Sequence, residues 1–202
     1  KNEFFDVPNE LSDFMFNLLN LNNGGKEVVY NPFVKFGSLA QHDAIFEGEE
    51  IDEKAWAVAK ARLCIAGIEN NLTLGNPLDD YGKRYKYILS MLPYGRQGEV
   101  SLECIVSTLY EKMELGGRMV VGVPFSFLKG TDRLGIRQRL LADEALCEIY
   151  VLPEYLMKPA TAVRLAVLVI NKGGTNCHGY DKVRMIDFSF AKKINYEGNG
   201  AN

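Results

Sequence analysis

Apolar positions along this chain fall into two rhythms. Leu11, Phe14, Met15, Leu18 and Leu19 recur at helical spacing, so residues 8–21 read as a helix, with Pro8 in its first turn and Asn22-Asn23-Gly24-Gly25 as its stop. The second rhythm is a series of short apolar runs. Residues 27–30, 44–46, 85–90, 118–123, 147–152 and 165–170 read as strands, with 183–188 as the last. Helical stretches lie between them. Residues 52–67 are bounded by Asp52 as N-cap and Gly67 as C-cap, residues 100–114 end at Gly116-Gly117, and residues 133–142 form a third.

Strands alternating with helices predict an α/β three-layer sandwich: a mainly parallel sheet covered on both faces. In such folds ligands sit at the C-terminal ends of the strands, where strand order reverses. The exit of the first strand, residues 31–37, is therefore the place to look for a site. Residues 1–195 read as a single domain with no internal repeat or linker, and the Gly/Asn-rich residues 196–202 as a disordered tail.

Composition narrows the classes. The chain has 202 residues, 47% of them hydrophobic and 24% charged, which is ordinary for a globular domain. A net charge of −3 argues against a large nucleic-acid face on this domain alone, although Lys83, Arg84, Lys86 and Arg96 cluster locally. Cys64, Cys104, Cys147 and Cys177 form no close pair and read as reduced, mostly buried thiols. The apolar runs are too short to span a membrane, no signal peptide opens the chain, and a cytoplasmic protein is expected. The first residue is Lys1, which suits a cut piece or a processed product. No metal site is expected: His42 and His178 lack a metal-ligand pattern, and the adjacent Cys177-His178 reads as part of a Gly-rich loop.

A resemblance emerges from several segments in order. Glu3-Phe4-Phe5-Asp6-Val7-Pro8 precedes Val29-Tyr30-Asn31-Pro32-Phe33-Val34-Lys35-Phe36-Gly37-Ser38-Leu39. Further on come Val123-Pro124-Phe125-Ser126-Phe127-Leu128-Lys129-Gly130, Ile136-Arg137-Gln138-Arg139-Leu140-Leu141, Val151-Leu152-Pro153-Glu154 and Val167-Leu168-Val169-Ile170-Asn171-Lys172. Together they resemble the adenine-specific DNA methyltransferases that form the modification (methylase) subunit of type I restriction-modification systems. The resemblance spans nearly the whole chain. It implies a Rossmann-like, S-adenosylmethionine-dependent methyltransferase fold with a mainly parallel seven-stranded sheet, one strand antiparallel near the edge. It also implies a target adenine flipped out of the duplex.

The same resemblance assigns site positions. Asn31 stands where the family has an acidic residue opening the cofactor loop, Phe33 lies within the loop, and Lys35-Phe36-Gly37 replace Gly-Ser-Gly, so Gly37 survives. Glu50 matches the carboxylate that takes the ribose hydroxyls. Asn76 stands where an Asp meets the adenine amine; it reads equally as a turn residue before Pro77. Met91-Leu92-Pro93-Tyr94 occupies the catalytic Asn-Pro-Pro-Phe/Tyr tetrad, with Met91 in place of the Asn whose oxygen accepts from the target amine. A thioether is a poor acceptor, and loss of a positioned acceptor costs orders of magnitude in rate.

Departures at Asn31–Phe36, Asn76 and Met91 fall on functional positions while the scaffold stays legible. The leading expectation is a catalytically impaired methyltransferase-like domain acting as a binding or structural subunit. It would have weakened or lost S-adenosylmethionine binding, contact DNA through a complex, and partner a specificity subunit or another restriction-modification subunit. The alternatives are an active, divergent adenine DNA methyltransferase, and a fold relative that binds another nucleotide or metabolite in the same crevice.

Overall fold

The computed structural model describes residues 6–22, 26–93, 100–130, 135–157, 162–173 and 183–189. Its elements run α1 (Asn9–Asn17), β1 (Val28–Tyr30), β2 (Ile45–Glu50), α2 (Glu53–Ile65), β3 (Asn70–Leu74), β4 (Tyr85–Met91), α3 (Leu102–Glu111), β5 (Met113–Pro124), α4 (Ser126–Lys129), α5 (Ile136–Ala142), β6 (Leu146–Val151), β7 (Leu165–Asn171) and β8 (Arg184–Asp187), with a 3-10 turn at Ser38–Ala40. The strands form one eight-stranded sheet in the order β3-β2-β1-β4-β5-β7-β6-β8. β7 is antiparallel to both β5 and β6, and every other pairing is parallel.

The sheet implied by the resemblance has seven strands and the observed one has eight, the last of them formed where residues 183–188 are expected as a strand. β8 adds itself parallel to β6, pairing Glu148 with Arg184 through Val151 with Asp187. Two apolar layers flank the sheet. One holds Val29, Phe46, Leu89, Met91 and Val120 under α1 and α2; the other holds Tyr30, Ile88, Leu92, Met119 and Val121 under α3 and α5. β7 is buried along all seven residues, which is why it reads in sequence as an unbroken apolar run.

Local chemistry explains the boundaries. Asp52 caps α2 by accepting the Ala55 N–H at 2.8 Å, as its sequence position predicts. α2 turns Ala55, Ala59 and Leu63 inward, and the two alanines allow a close approach to the sheet. Ser101 caps α3 by accepting the Cys104 N–H. Gly116-Gly117 is not a helix stop. Strand β5 already begins at Met113, and its pairing with β4 jumps from Tyr85↔Met113 to Tyr87↔Arg118. Gly116 has φ +78°, and a Cβ on Gly117 would meet the carbonyl oxygens of Glu114 at 2.9 Å and Lys86 at 3.0 Å, so this is a glycine bulge. β3 has no counterpart among the expected strands.

Of the described cysteines, Cys64 is exposed and Cys104 partly exposed, both as free thiols. Cys147 is buried and disulfide-bonded, against the expectation of reduced thiols. No helix among the described residues is long and apolar enough to cross a membrane. The expected tail, 196–202, lies outside the described residues.

Candidate functional site

The exits of β1, β2 and β4 meet at one end of the sheet, and the positions assigned from sequence converge there except where noted. Asn31 follows β1 directly and is almost fully buried. Its backbone N–H donates to the Glu47 carbonyl at 2.7 Å, and its Nδ2 donates to the Leu89 carbonyl at 2.6 Å. It therefore ties β1 to both neighbouring strands. Its Oδ1 is buried with no hydrogen-bond partner. Ser90, on β4, donates its hydroxyl to the Pro32 carbonyl at 2.7 Å and so pins the next residue of the loop.

The loop then folds down onto β2. The Val34 N–H donates to the Glu49 carbonyl at 3.3 Å, and the Lys35 N–H donates to Glu50 Oε2 at 2.7 Å. Both Phe33 (φ +56°) and Lys35 (φ +53°) adopt the left-handed region without being glycine. The Phe33 ring packs on the apolar layer that holds Tyr30 and Leu92. Gly48 on β2 is what admits the loop: a Cβ there would lie 2.1 Å from the Asn31 carbonyl oxygen and 2.8 Å from Val34 Cγ2. Gly37 (φ +78°) serves the opposite wall, where its Cα side lies against α2; a Cβ would meet Ala59 Cβ at 3.3 Å.

Glu50 ends β2 and is buried. One carboxylate oxygen accepts the Lys35 N–H and the other the Asp52 N–H at 3.0 Å. Burial pulls the Lys35 ammonium down to about 8, with the Glu50 charge opposing that shift. Below about 8 the folded state carries the full desolvation penalty; between about 8 and 10.5 the folded lysine has lost its proton while the unfolded one keeps it. Stability is therefore expected to rise with pH across that window. Subtracting the curve of Lys35→Gln, measured by urea denaturation from pH 7 to 10.5, should isolate the rise; equal slopes in the two proteins would mean Lys35 is solvated.

Asn76 sits after β3 and folds its own loop. Its Oδ1 accepts the Leu78 N–H and its Nδ2 donates to Asp79 Oδ1, each at 3.1 Å. These bonds describe an Asx-type turn. Met91 is the last residue of β4, and its side chain is in the core beneath α1, beside Met15 and over Gly122. Leu92 is buried in the opposite layer and its N–H donates to the Gly122 carbonyl at 3.0 Å. Pro93 is half-buried; Tyr94 lies outside the described residues, as do Arg96, Cys177 and His178.

Sequence reasoning missed a polar cluster on the other face of β1 and β2. The Tyr30 hydroxyl donates to Glu49 Oε2 at 2.6 Å, and its ring stacks on Tyr85 at 4.0 Å between centroids. Buried Lys112 donates to the Asp79 carbonyl at 2.6 Å and to the Tyr30 oxygen at 3.4 Å. Desolvation, reinforced by Glu49, pushes the Tyr30 hydroxyl far up, so it remains a donor. The β3–β4 connection carries no helix, which leaves a cavity of about 400 Å3 lined by Glu47, Glu49, Lys83, Tyr85 and Lys112. Nothing but the alternation Glu47-Gly48-Glu49 in a strand could have signalled it. Among the described residues of the basic cluster seen in sequence, Lys83 pairs with Glu47, Arg84 with Asp80 and Lys86 with Glu27. Among the described residues no group of three or more metal-ligating side chains forms a metal-sized site.

With this strand order and β7 antiparallel, the fold is the Rossmann-like fold of S-adenosylmethionine-dependent methyltransferases, extended by an eighth strand. No family model matches the sequence, and no curated protein matches it. Solved structures do. A type I restriction-modification methyltransferase subunit from Streptococcus thermophilus aligns with a TM-score of 0.79 at 18% identity, over 93% of this chain and 48% of that one. The M protein of the type I restriction enzyme EcoKI aligns at 0.75 and 22% identity, over 92% of this chain and 48% of that one. A protein from Listeria monocytogenes described as a class I S-adenosylmethionine-dependent methyltransferase aligns at 0.77 and 14% identity, over 94% of this chain and 67% of that one. The structural neighbours thus include the kind of subunit that the sequence motifs resemble. The chain spans about half the length of both type I subunits.

Proposed function

We propose that this chain is a methyltransferase-like domain, related to the modification subunit of type I restriction-modification systems, that no longer transfers methyl groups and serves as a binding or structural subunit. In this reading it reaches DNA only through a complex with a specificity or other restriction-modification subunit. One observation carries the proposal: the loop at the β1 exit is bonded down onto β2, and both oxygens of Glu50 are engaged by that loop and by the start of α2.

A cofactor cradle needs a loop that stands off the sheet and a carboxylate that faces the ribose. Here Asn31, Val34 and Lys35 each donate a backbone N–H to β2, and Gly48 lets the loop carbonyl settle where a Cβ would stand. Lys35 brings a desolvated ammonium beside Glu50, a poor neighbour for a sulfonium cation. These residues do not fit S-adenosylmethionine as the family pattern would hold it. At the tetrad, Met91 turns its thioether into the core, leaving no amide oxygen to accept from an adenine amine.

The test is a thermal titration. A ligand that binds only the folded state raises Tm by mass action. No rise is expected at millimolar S-adenosylmethionine, and no tritium transfer to adenine-rich DNA. A saturable rise together with transfer would establish the second reading, an active and divergent adenine methyltransferase. That reading draws support from the unpartnered Oδ1 of Asn31, which has the chemistry to accept an ammonium donor at the loop.

A further inference from the structure

The sheet has a second concave site at its opposite end. A pocket of about 630 Å3 opens between the C-terminal end of α1 and the starts of β4, β6 and β8, with β5 and the end of β7 as its floor. Lys86, Arg118, Glu148, Tyr150, Asn171 and Arg184 give it its chemistry. None of these residues belongs to the crevice described above.

Two groups in this pocket lack the partner that their burial calls for. Arg118 donates Nε to the Leu18 carbonyl at 2.7 Å and a guanidinium nitrogen to Asn171 Oδ1 at 3.2 Å. Both acceptors are neutral, and among the described residues no carboxylate pairs with this guanidinium. Desolvation, the largest influence on it, weakens its hold on the proton. Asn171 is only 5% exposed, and its Nδ2 has no hydrogen-bond partner. A buried donor left unsatisfied is costly, and so is a half-buried cation on which Glu148 acts through its charge without a direct bond.

The single carboxylate in the lining does not fill the gap. Glu148 accepts the Tyr150 hydroxyl and faces Arg184 at 3.8 Å. Burial, then Glu148, pushes Tyr150 up to about 12, so its proton stays in place as the donor. Lys86 stands at the rim, paired at 3.6 Å with Glu27. Arg118 and Arg184 thus share one carboxylate that is already engaged, and the unpartnered side-chain atom, Asn171 Nδ2, is a donor.

We propose that this pocket binds a small ligand bearing an oxyanion, a phosphate or a carboxylate, seated between the Arg118 guanidinium and Asn171 Nδ2 with Lys86 and Arg184 at its mouth. Charge-assisted bonds from a guanidinium and an amide are the usual grip on such a group. The site stands apart from the cofactor crevice, so it holds whether or not S-adenosylmethionine binds.

The experiment is a titration of the purified chain with inorganic phosphate and, separately, malonate, at constant ionic strength set with chloride, followed by Tm and by calorimetry. The expected result is a saturable Tm rise with at least one of the two; which one responds identifies the head group. Asn171→Asp keeps an acceptor for Arg118 but places a carboxylate where the anion would sit, and should weaken binding about tenfold or more. Arg184→Gln, at the exposed mouth, should weaken it by roughly twofold to fivefold. If Asn171→Asp does not fold, the Arg184→Gln comparison decides alone. A response to neither anion beyond that of chloride, or an undiminished response in the variants, would overturn the proposal.

Discussion

Gly48→Ala is expected to cost about 4 kcal/mol or more, at the upper end for a single substitution. The new Cβ would lie 2.1 Å from the Asn31 carbonyl oxygen and 3.0 Å from its carbon, so the collision is with backbone and no side chain can swing clear. That backbone is held from three directions. The Asn31 N–H is bonded to Glu47, its Nδ2 to Leu89, and the following carbonyl to Ser90. Relief requires the loop to lift from β2, which also frees the Val34 and Lys35 N–H groups and one oxygen of Glu50. Urea denaturation of wild type and variant measures the difference. A loss below about 1 kcal/mol, the ordinary size of a tolerated change, would mean the loop is not seated on Gly48, and the filled crevice would lose its chief support.

How much of this could be read in advance depended on which atoms do the work. Strands β4 and β7 are buried along most of their length, and a strand covered on both faces announces itself as a run of apolar residues. β3 escaped because only Leu72 of Asn70–Leu74 is buried, so its sequence has no apolar run to recognise. The bulge at Gly116-Gly117 escaped because a glycine pair serves equally well to end a helix and to bend a strand. At the candidate site the resemblance pointed to positions at the strand exits, Glu50 among them. Its partners were not legible, because they are backbone N–H groups aimed by a left-handed turn at Lys35, a conformation that a lysine does not advertise. The pocket at the other end of the sheet was out of reach altogether. Arg118 and Asn171 are 53 positions apart and meet only because β5 and β7 pair in antiparallel register.

Met91→Asn, the change that would restore the family's tetrad on paper, is expected to destabilise the fold by about 3 kcal/mol and to yield no methyl transfer. Met91 is 2% exposed and packed in the layer with Met15, Leu89 and Val120. Shortening it removes apolar contact and leaves a void, while the amide arrives in an apolar layer without partners; the two effects together are worth about 3 kcal/mol. The opposing residue offers an internal check. A Cβ on Gly122 would lie 2.5 Å from the Met91 sulfur and 2.6 Å from its terminal methyl. Gly122→Ala should therefore be harmful beside Met91 and much less so in the Met91→Asn background, because the shorter side chain vacates that space. The double variant is then expected to lose less than the sum of the two single losses, a coupling on the order of 1 kcal/mol in a double-mutant cycle. Strict additivity would place the Met91 side chain elsewhere. If Met91→Asn instead proved nearly neutral and gained transfer to DNA, the end of β4 would be a working catalytic edge and not part of the core.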